Sequence, residues 1–379
     1  MSIALQKTLS LILLIVIGLF LQKKLQSEDQ KKGLKTIILN IALPAMIFVA
    51  LLKIEINPDL MILPVLALIF NIVMILVTRY ALPLFGVKGD TPAMRTLMLL
   101  LPSLAPGLTC FPFIVEYLGD DVLAWAALSD IGNKIFVLIL AYMLAMSWYY
   151  KNQSLKSKSN TQKIKQLLLA MVSEPINMVI LVAIGLLSLG INMDNLPGFL
   201  SASVLMMKDM MTPLVLIFIG IAVIFKWDQL RMIASLLTFR AGITFLISGL
   251  FIWLVPMPSE AAILLAVVFP QSAVSFWPFA HMSAVRKLEH ENEDQKSNPT
   301  FDLELGVNVL AVSMPFSTLL ILGVFTSGSY FLNPVHVISI GSIMIGAAVL
   351  PKAIALVKSA DFSWENLRGK ELKDSSVEQ

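Results

Sequence analysis

Residues 99–113 read LLLPSLAPGLTCFPF, which sets Pro102, Pro106 and Pro112 inside a run that carries no charge and is otherwise largely apolar. A proline in a helix interior removes a backbone donor and clashes with the preceding turn. In hydrocarbon the carbonyls so freed need partners, and unwound backbone survives there only where it is buried in protein or lines a watery cavity. The stretch therefore predicts a membrane helix that is interrupted near the bilayer midplane.

The rest of the chain fits a bilayer. Of 379 residues 57% are hydrophobic and 14% charged, and the mean hydropathy of +0.83 lies far above that of a soluble domain. Long apolar runs between short charged patches predict helical spans, because a barrel shows weak alternating segments of about ten residues instead. The predicted spans are Ile3 to Phe20, Leu34 to Leu52, Leu60 to Leu84, Met94 to Leu118, Val122 to Tyr149, Leu167 to Leu189, Ala202 to Phe225, Met232 to Val255, Ala261 to Val285, Leu303 to Thr326 and Val335 to Val357. The first of these is read as a span and not as a signal peptide, since its charges follow the apolar core and no small-residue cleavage site appears.

Lysine and arginine stay on the cytoplasmic side of short loops. Lys23, Lys24, Lys31, Lys32 and Lys35 fill the first loop, Arg79, Lys88 and Arg95 the third, and the run from Lys151 to Lys165 the fifth. The second loop has only Lys53 and the fourth no basic residue. Eleven spans place the N-terminus outside and the basic tail inside a cytoplasmic (plasma) membrane.

The basic linker divides ten spans into two sets of five, and an odd number gives the halves opposite topology. Internal echoes appear in matching order: LPAMIF with TPLVLI, and FPFI with WPFA, which pair Pro44 with Pro213 and Pro112 with Pro278. Inverted repeats of this kind recur in secondary transporters. The expected fold is an all-α integral membrane protein of ten to eleven transmembrane helices, an inverted 5+5 repeat with two proline-broken crossover helices. Residues 1–150 form the first repeat, 151–166 a cytoplasmic linker, 167–328 the second repeat, 329–357 an additional transmembrane helix and 358–379 a cytoplasmic tail. At the crossing, half-helix N-termini suit an anion and exposed carbonyls a cation. Thr109, Gln271, Ser272 and Ser275 keep Pro112 and Pro278 polar company, which marks this crossing as the expected site.

The pieces LNIALPAMIFVALL, GLTCFPFIVEYLG, LSDIGNKI and FPQSAVSFWPFAHMSA together resemble the auxin efflux carrier family of PIN-like permeases. The resemblance extends through about Thr326. It implies the crossover fold of bile acid and sodium/proton transporters, with carboxylates, amino acids or auxin-like acids as substrates. Two positions depart from the family pattern: Ala105 stands where an asparagine is frequent, and Cys110 where a glycine is usual.

Charged residues inside spans cost roughly 2.5–3.5 kcal/mol each on insertion scales and need a reason. Asp130 and Lys134 share one helix face with Asn133 beside them. The resemblance carries Asp130 and Asn133 over as a family pair, Asp130 to titrate or coordinate a cation and Asn133 to contact substrate; the alternative is an ion pair that only holds the bundle. Arg240, mid-span in TFRAGITF, is the best anion ligand in the chain because its planar fork binds carboxylate in bidentate fashion. Its alternative is an ion pair with Asp302 or Glu304. Lys208 either attracts an anion at the outer vestibule or snorkels to the interface. Asn308, with Ser313 and Ser317, lines the second half of the expected site or joins helices.

An enzyme is not expected. HENED at His290 lacks the second histidine of a zinc motif, the histidines have no ligand spacing, the single Cys110 forms no intrachain disulfide, and no Walker motif is present. No metal, cofactor or nucleic acid is expected. The predicted function is a secondary transporter for small organic anions, working by alternating access and coupled to H+ or Na+. A channel or a transporter-like receptor or scaffold is the alternative, and a homodimer is compatible with the sequence.

Overall fold

A computed structural model of the chain describes residues 3–25, 27–53, 58–87, 89–152, 175–222, 227–291 and 299–349. Every regular element among them is helical. In chain order these are α1 (Ile3–Leu21), α2 (Glu28–Ile37), α3 (Leu43–Lys53), α4 (Ile62–Ala81), α5 (Pro92–Leu100), α6 (Pro106–Thr109), α7 (Phe111–Leu118), α8 (Asp120–Lys134), α9 (Ala141–Asn152), α10 (Pro175–Ser188), α11 (Gly198–Asp209), α12 (Met211–Ala222), α13 (Trp227–Leu254), α14 (Glu260–Val268), α15 (Phe276–Glu291), α16 (Leu303–Thr326) and α17 (Pro334–Val349).

Seven helical stretches among the described residues are long and apolar enough to cross a bilayer: Asp29–Lys53, Ile62–Phe85, Asp120–Asn152, Gly198–Ile221, Arg231–Leu254, Glu260–Arg286 and Leu303–Thr326. Leu9–Leu21, Pro175–Ser188 and Pro334–Val349 are shorter apolar helices. The protein is thus all-α and membrane-embedded. The linker beyond Asn152, the start of the sixth expected span, the end of the eleventh and the tail lie outside the described residues.

Two spans are interrupted, at places that correct the expectation. α5 and α14 are each nine residues long and each is capped by a hydroxyl: Thr91 accepts from the Met94 N–H and Ser259 from the Ala262 N–H. Pro102 and Pro270 follow two residues after these helices end, and the chain then leaves the helix over residues 101–105 and 272–275. Ala105, which precedes Pro106, takes φ −126° and ψ 66°, as a residue before proline is pushed out of the helical region. Pro112 and Pro278 instead fall in the first turns of α7 and α15. In a first turn the missing N–H has no intrahelical partner to lose, so these prolines start half-helices and do not break them.

Close helix contacts depend on residues without a Cβ. Gly18 of α1 meets Gly220 of α12, and Gly132 of α8 lies against the Pro64 carbonyl of α4. α13 and α17 join along a longer seam: Ser235, Gly242 and Gly249, seven residues apart, meet Ala348, Gly341 and Pro334 in reverse order. The Ser235 hydroxyl donates to the Ala348 carbonyl at 2.8 Å. The two helices are therefore antiparallel over about 21 Å at 1.5 Å per residue. Gly341→Leu forces a side chain into the α13 backbone and is expected to destabilise the fold by about 1–3 kcal/mol. Gly346→Leu, where a Cβ meets nothing within 4 Å, is expected to be neutral. Thermal unfolding of the two variants in detergent checks the contrast.

Candidate functional site

The unwound segment after α5 exposes five consecutive residues, and the structure gives their carbonyls donors from four different helices. Arg240 of α13 donates through Nε to the Leu101 carbonyl at 2.7 Å and through Nη2 to the Ser103 carbonyl at 3.2 Å. Asn71 of α4 donates to the Pro102 carbonyl at 2.7 Å. Asn133 of α8 holds Leu104 from both sides, donating to its carbonyl at 2.9 Å and accepting its N–H at 3.1 Å. The Thr109 hydroxyl of α6 donates to the Ala105 carbonyl at 3.0 Å. Buried backbone groups that a helix cannot pair must be paired by something else, and here polar side chains embedded in apolar spans do it.

The two interruptions touch. Ala105 N–H donates to the Ala273 carbonyl at 2.8 Å, Ala273 N–H to the Thr109 hydroxyl at 3.0 Å, and Ser275 N–H to the Ser103 hydroxyl at 2.9 Å. Gln271 lies in the turn after α14, where its Nε2 donates to the Ala241 carbonyl at 3.2 Å. Ser272 bonds its own turn at Phe269. Thr109, Gln271 and Ser272 are thus brought together with Arg240 and Asn133 at the crossing, and Pro112 and Pro278 stand at the starts of the outgoing half-helices. Asn308 lies half-buried on α16, which packs on α5 and α15.

The polar cluster extends from Asn133. Its Nδ2 also donates to Asp130 at 2.8 Å, Asp130 pairs with Lys134 at 3.7 Å, and Lys134 reaches Asn177 of α10 at 3.3 Å. All four side chains are buried. Between α8 and α9 the helix loosens to a π-turn over Ile135–Leu140, and there the Val137 carbonyl accepts from His281 Nε2 of α15 at 2.9 Å. Arg240 is 4% exposed, and its partners are backbone carbonyls in place of the expected Asp302 or Glu304. Asp302 instead caps α16 by accepting the Leu305 N–H. Among the described residues no carboxylate lies within ion-pair distance of Arg240. The space beside it, lined by Met74, Thr78, Phe85, Leu101 and Phe239, is about 10 Å³, room for about one water.

A larger cavity of 520 Å³ lies at the α7–α8 turn, lined by Glu116, Asp120, Lys208, Asp209, Thr212 and Pro213 among others. Asp120 at its edge pairs with Lys53 at 2.7 Å and with Lys208 at 2.9 Å, so it ties α8 to α3 and α11. Lys208 is therefore an ion-pair partner and not a free snorkelling anchor. Lys35, expected in the first loop, stands on α2 with its ammonium 4.8 Å from the centre of the Phe276 ring. In the loop before α5, partial burial works against ionisation of Asp90, but the ammonium of Lys151 and the guanidinium of Arg95 outweigh it and hold its carboxyl below the usual carboxylate range.

Partly exposed pairs of the Asp120 kind contribute about 1 kcal/mol, so Asp120→Asn is expected to speed opening of this cavity about fivefold. Labelling of Thr212→Cys by a hydrophilic maleimide reads that change, with Cys110 replaced by Ser. An unchanged labelling rate would mean that the ion pairs do not restrict the cavity.

Asn71 is absent from the candidates above, yet the sequence marks it as the one amide in ILPVLALIFNIVMILV, where a polar side chain needs a partner. The Leu101–Ser103 carbonyls that Arg240 holds had no sequence signal. No protein-family model matches the chain, and no curated protein matches it.

Proposed function

We propose that this chain is a secondary carrier for small organic anions, related in plan to the auxin efflux carrier family, with its site at the crossing. The observation that carries the reading is Arg240: a buried guanidinium whose partners are carbonyls and which has no carboxylate within ion-pair distance among the described residues. A buried cation without a counter-ion is costly, and an anionic ligand supplies the missing charge. Nη1 takes no part in the two carbonyl bonds, so the guanidinium keeps donors for such a ligand.

The matched lengths, hydroxyl caps and following prolines of α5 and α14 support an inverted repeat, and α17, antiparallel to α13, supports an eleventh span that ends inside when the N-terminus is outside. Transport proceeds by rocking of one bundle against the other around the crossing, which is closed beside Arg240 in this conformation. Because the carbonyls of residues 101–104 already have donors, a proton carried by Asp130 is better supported as coupling ion than sodium held by those carbonyls. Uptake of radiolabelled carboxylates and amino acids into proteoliposomes, under separate proton and sodium gradients, tests the reading. Accumulation under one gradient supports a coupled carrier and names the ion. No flux from folded, reconstituted protein would overturn it.

A further inference from the structure

Two buried amide oxygens at the crossing, Asn71 Oδ1 and Gln271 Oε1, have no hydrogen-bond donor among the described residues. Asn71 is 0% and Gln271 1% exposed. Neither amide can be turned over to repair this. The Asn71 Nδ2 already faces two acceptors, the Pro102 carbonyl at 2.7 Å and Asn133 Oδ1 at 3.3 Å, and the Gln271 Nε2 faces the Ala241 carbonyl at 3.2 Å. Reversing either would set oxygen against oxygen, so the oxygens are the ends left over. A buried acceptor without a donor is costly and calls for an explanation.

Both oxygens belong to side chains whose nitrogens hold backbone carbonyls next to those of the Arg240 clasp or next to Arg240 itself. Asn71 holds the carbonyl of Pro102, which lies between the Leu101 and Ser103 carbonyls held by Arg240. Gln271 holds the carbonyl of Ala241, the residue next to Arg240. The crossing therefore combines donors at Arg240 with two acceptors, on Asn71 and Gln271, that have no donor among the described residues. A plain carboxylate only accepts, so it matches the guanidinium and leaves both acceptors unmatched.

We infer that Asn71 Oδ1 and Gln271 Oε1 form an acceptor subsite beside Arg240, and that the transported anion is a carboxylic acid bearing a hydroxyl or ammonium on the carbon next to its carboxylate. The inference rests on the anion-carrier reading above. The carboxylate pairs with Arg240 and the neighbouring O–H or N–H donates to the two amides. A bare metal cation fits less well, because among the described residues at the crossing Arg240 and Lys134 already set two buried positive charges against the one carboxylate of Asp130. A site built to bond a donor rejects the analogue that lacks it far more strongly than a pocket rejects a missing methylene.

The test measures binding to the purified full chain in nanodiscs, by calorimetry in sodium-free choline buffer. The probes are propanoate, lactate and alanine, with their 3-phenyl counterparts. Lactate or alanine, or the matching phenyl acid, is expected to bind at least about tenfold tighter than the acid without the donor. Gln271→Met and Asn71→Leu are expected to bring that ratio, measured within each folded variant, towards unity, whatever the change in overall affinity. Gln271→Glu, which keeps an acceptor and adds charge, is expected to shift preference from lactate towards alanine. Which of lactate and alanine binds identifies the donor as hydroxyl or ammonium. Equal affinities with and without the donor, or a preference that survives in both variants, would overturn the subsite. Stabilisation by sodium chloride alone that disappears in the variants would overturn it as well, and give the oxygens to a metal cation. Failure of every acid to bind defeats the carrier reading itself, and the subsite with it.

Discussion

Arg240→Gln is expected to lose both fold stability and anion affinity, and the two losses can be measured apart. Removing the guanidinium leaves the Leu101 and Ser103 carbonyls buried without donors, at about 1–3 kcal/mol each. A loss of about 2–6 kcal/mol is a large part of the stability of an ordinary domain. Glutamine has a shorter arm and no fork, so it cannot span two carbonyls that stand two residues apart. Arg240→Lys restores the charge but presents a point donor in place of the planar fork, and is expected to recover anion binding better than stability. Thermal unfolding in nanodiscs reads the first loss and uptake KM the second. A rise in KM of at least about tenfold, or 1.4 kcal/mol, in the folded Gln variant is the expected result. An unchanged KM would reduce Arg240 to a clasp on the unwound segment.

Asn133→Ala is expected to be similarly severe, for a different reason. The resemblance suggests a substrate contact, yet the amide already holds the N–H and carbonyl of Leu104 and bonds to Asp130 and Asn71. Truncation leaves two Leu104 backbone groups unpaired, at a cost of about 2–6 kcal/mol. Asn133→Asp keeps an acceptor for the Leu104 N–H but turns a carboxylate oxygen towards the Leu104 carbonyl and towards Asp130, so it is expected to be no better than alanine. If instead the alanine variant unfolds at the wild-type temperature and only its uptake KM rises, Asn133 is a substrate ligand and Leu104 is paired in some other way.

These two side chains explain how a chain tolerates three prolines in LLLPSLAPGLTCFPF. The cost of an unwound segment in hydrocarbon is offset by Arg240, Asn71, Asn133 and Thr109, each from a different helix. A site assembled from four helices changes shape when any of those helices moves, as the proposed carrier function requires.

The sequence by itself determined the all-helical membrane class and, among the described residues, where the long apolar helices lie. Apolar run lengths, lysine distribution and proline placement follow from local chemistry, because a bilayer accepts little besides long apolar helices with their charges at the ends. Arg240, Gln271, Thr109 and Asp130 were legible as candidates because polar side chains in apolar spans need a reason. Tertiary structure alone decided what each one holds. The true breaks lie at Pro102 and just after Pro270, since a proline interrupts a helix only where a preceding carbonyl has an N–H to lose, and the first-turn positions of Pro112 and Pro278 could not be read without the helix ends. The choice of Arg240 for carbonyls over Asp302, of Lys208 for Asp120, and of Asn71 for Pro102 joins residues far apart in the chain, and no spacing rule within one helix encodes a partner on another.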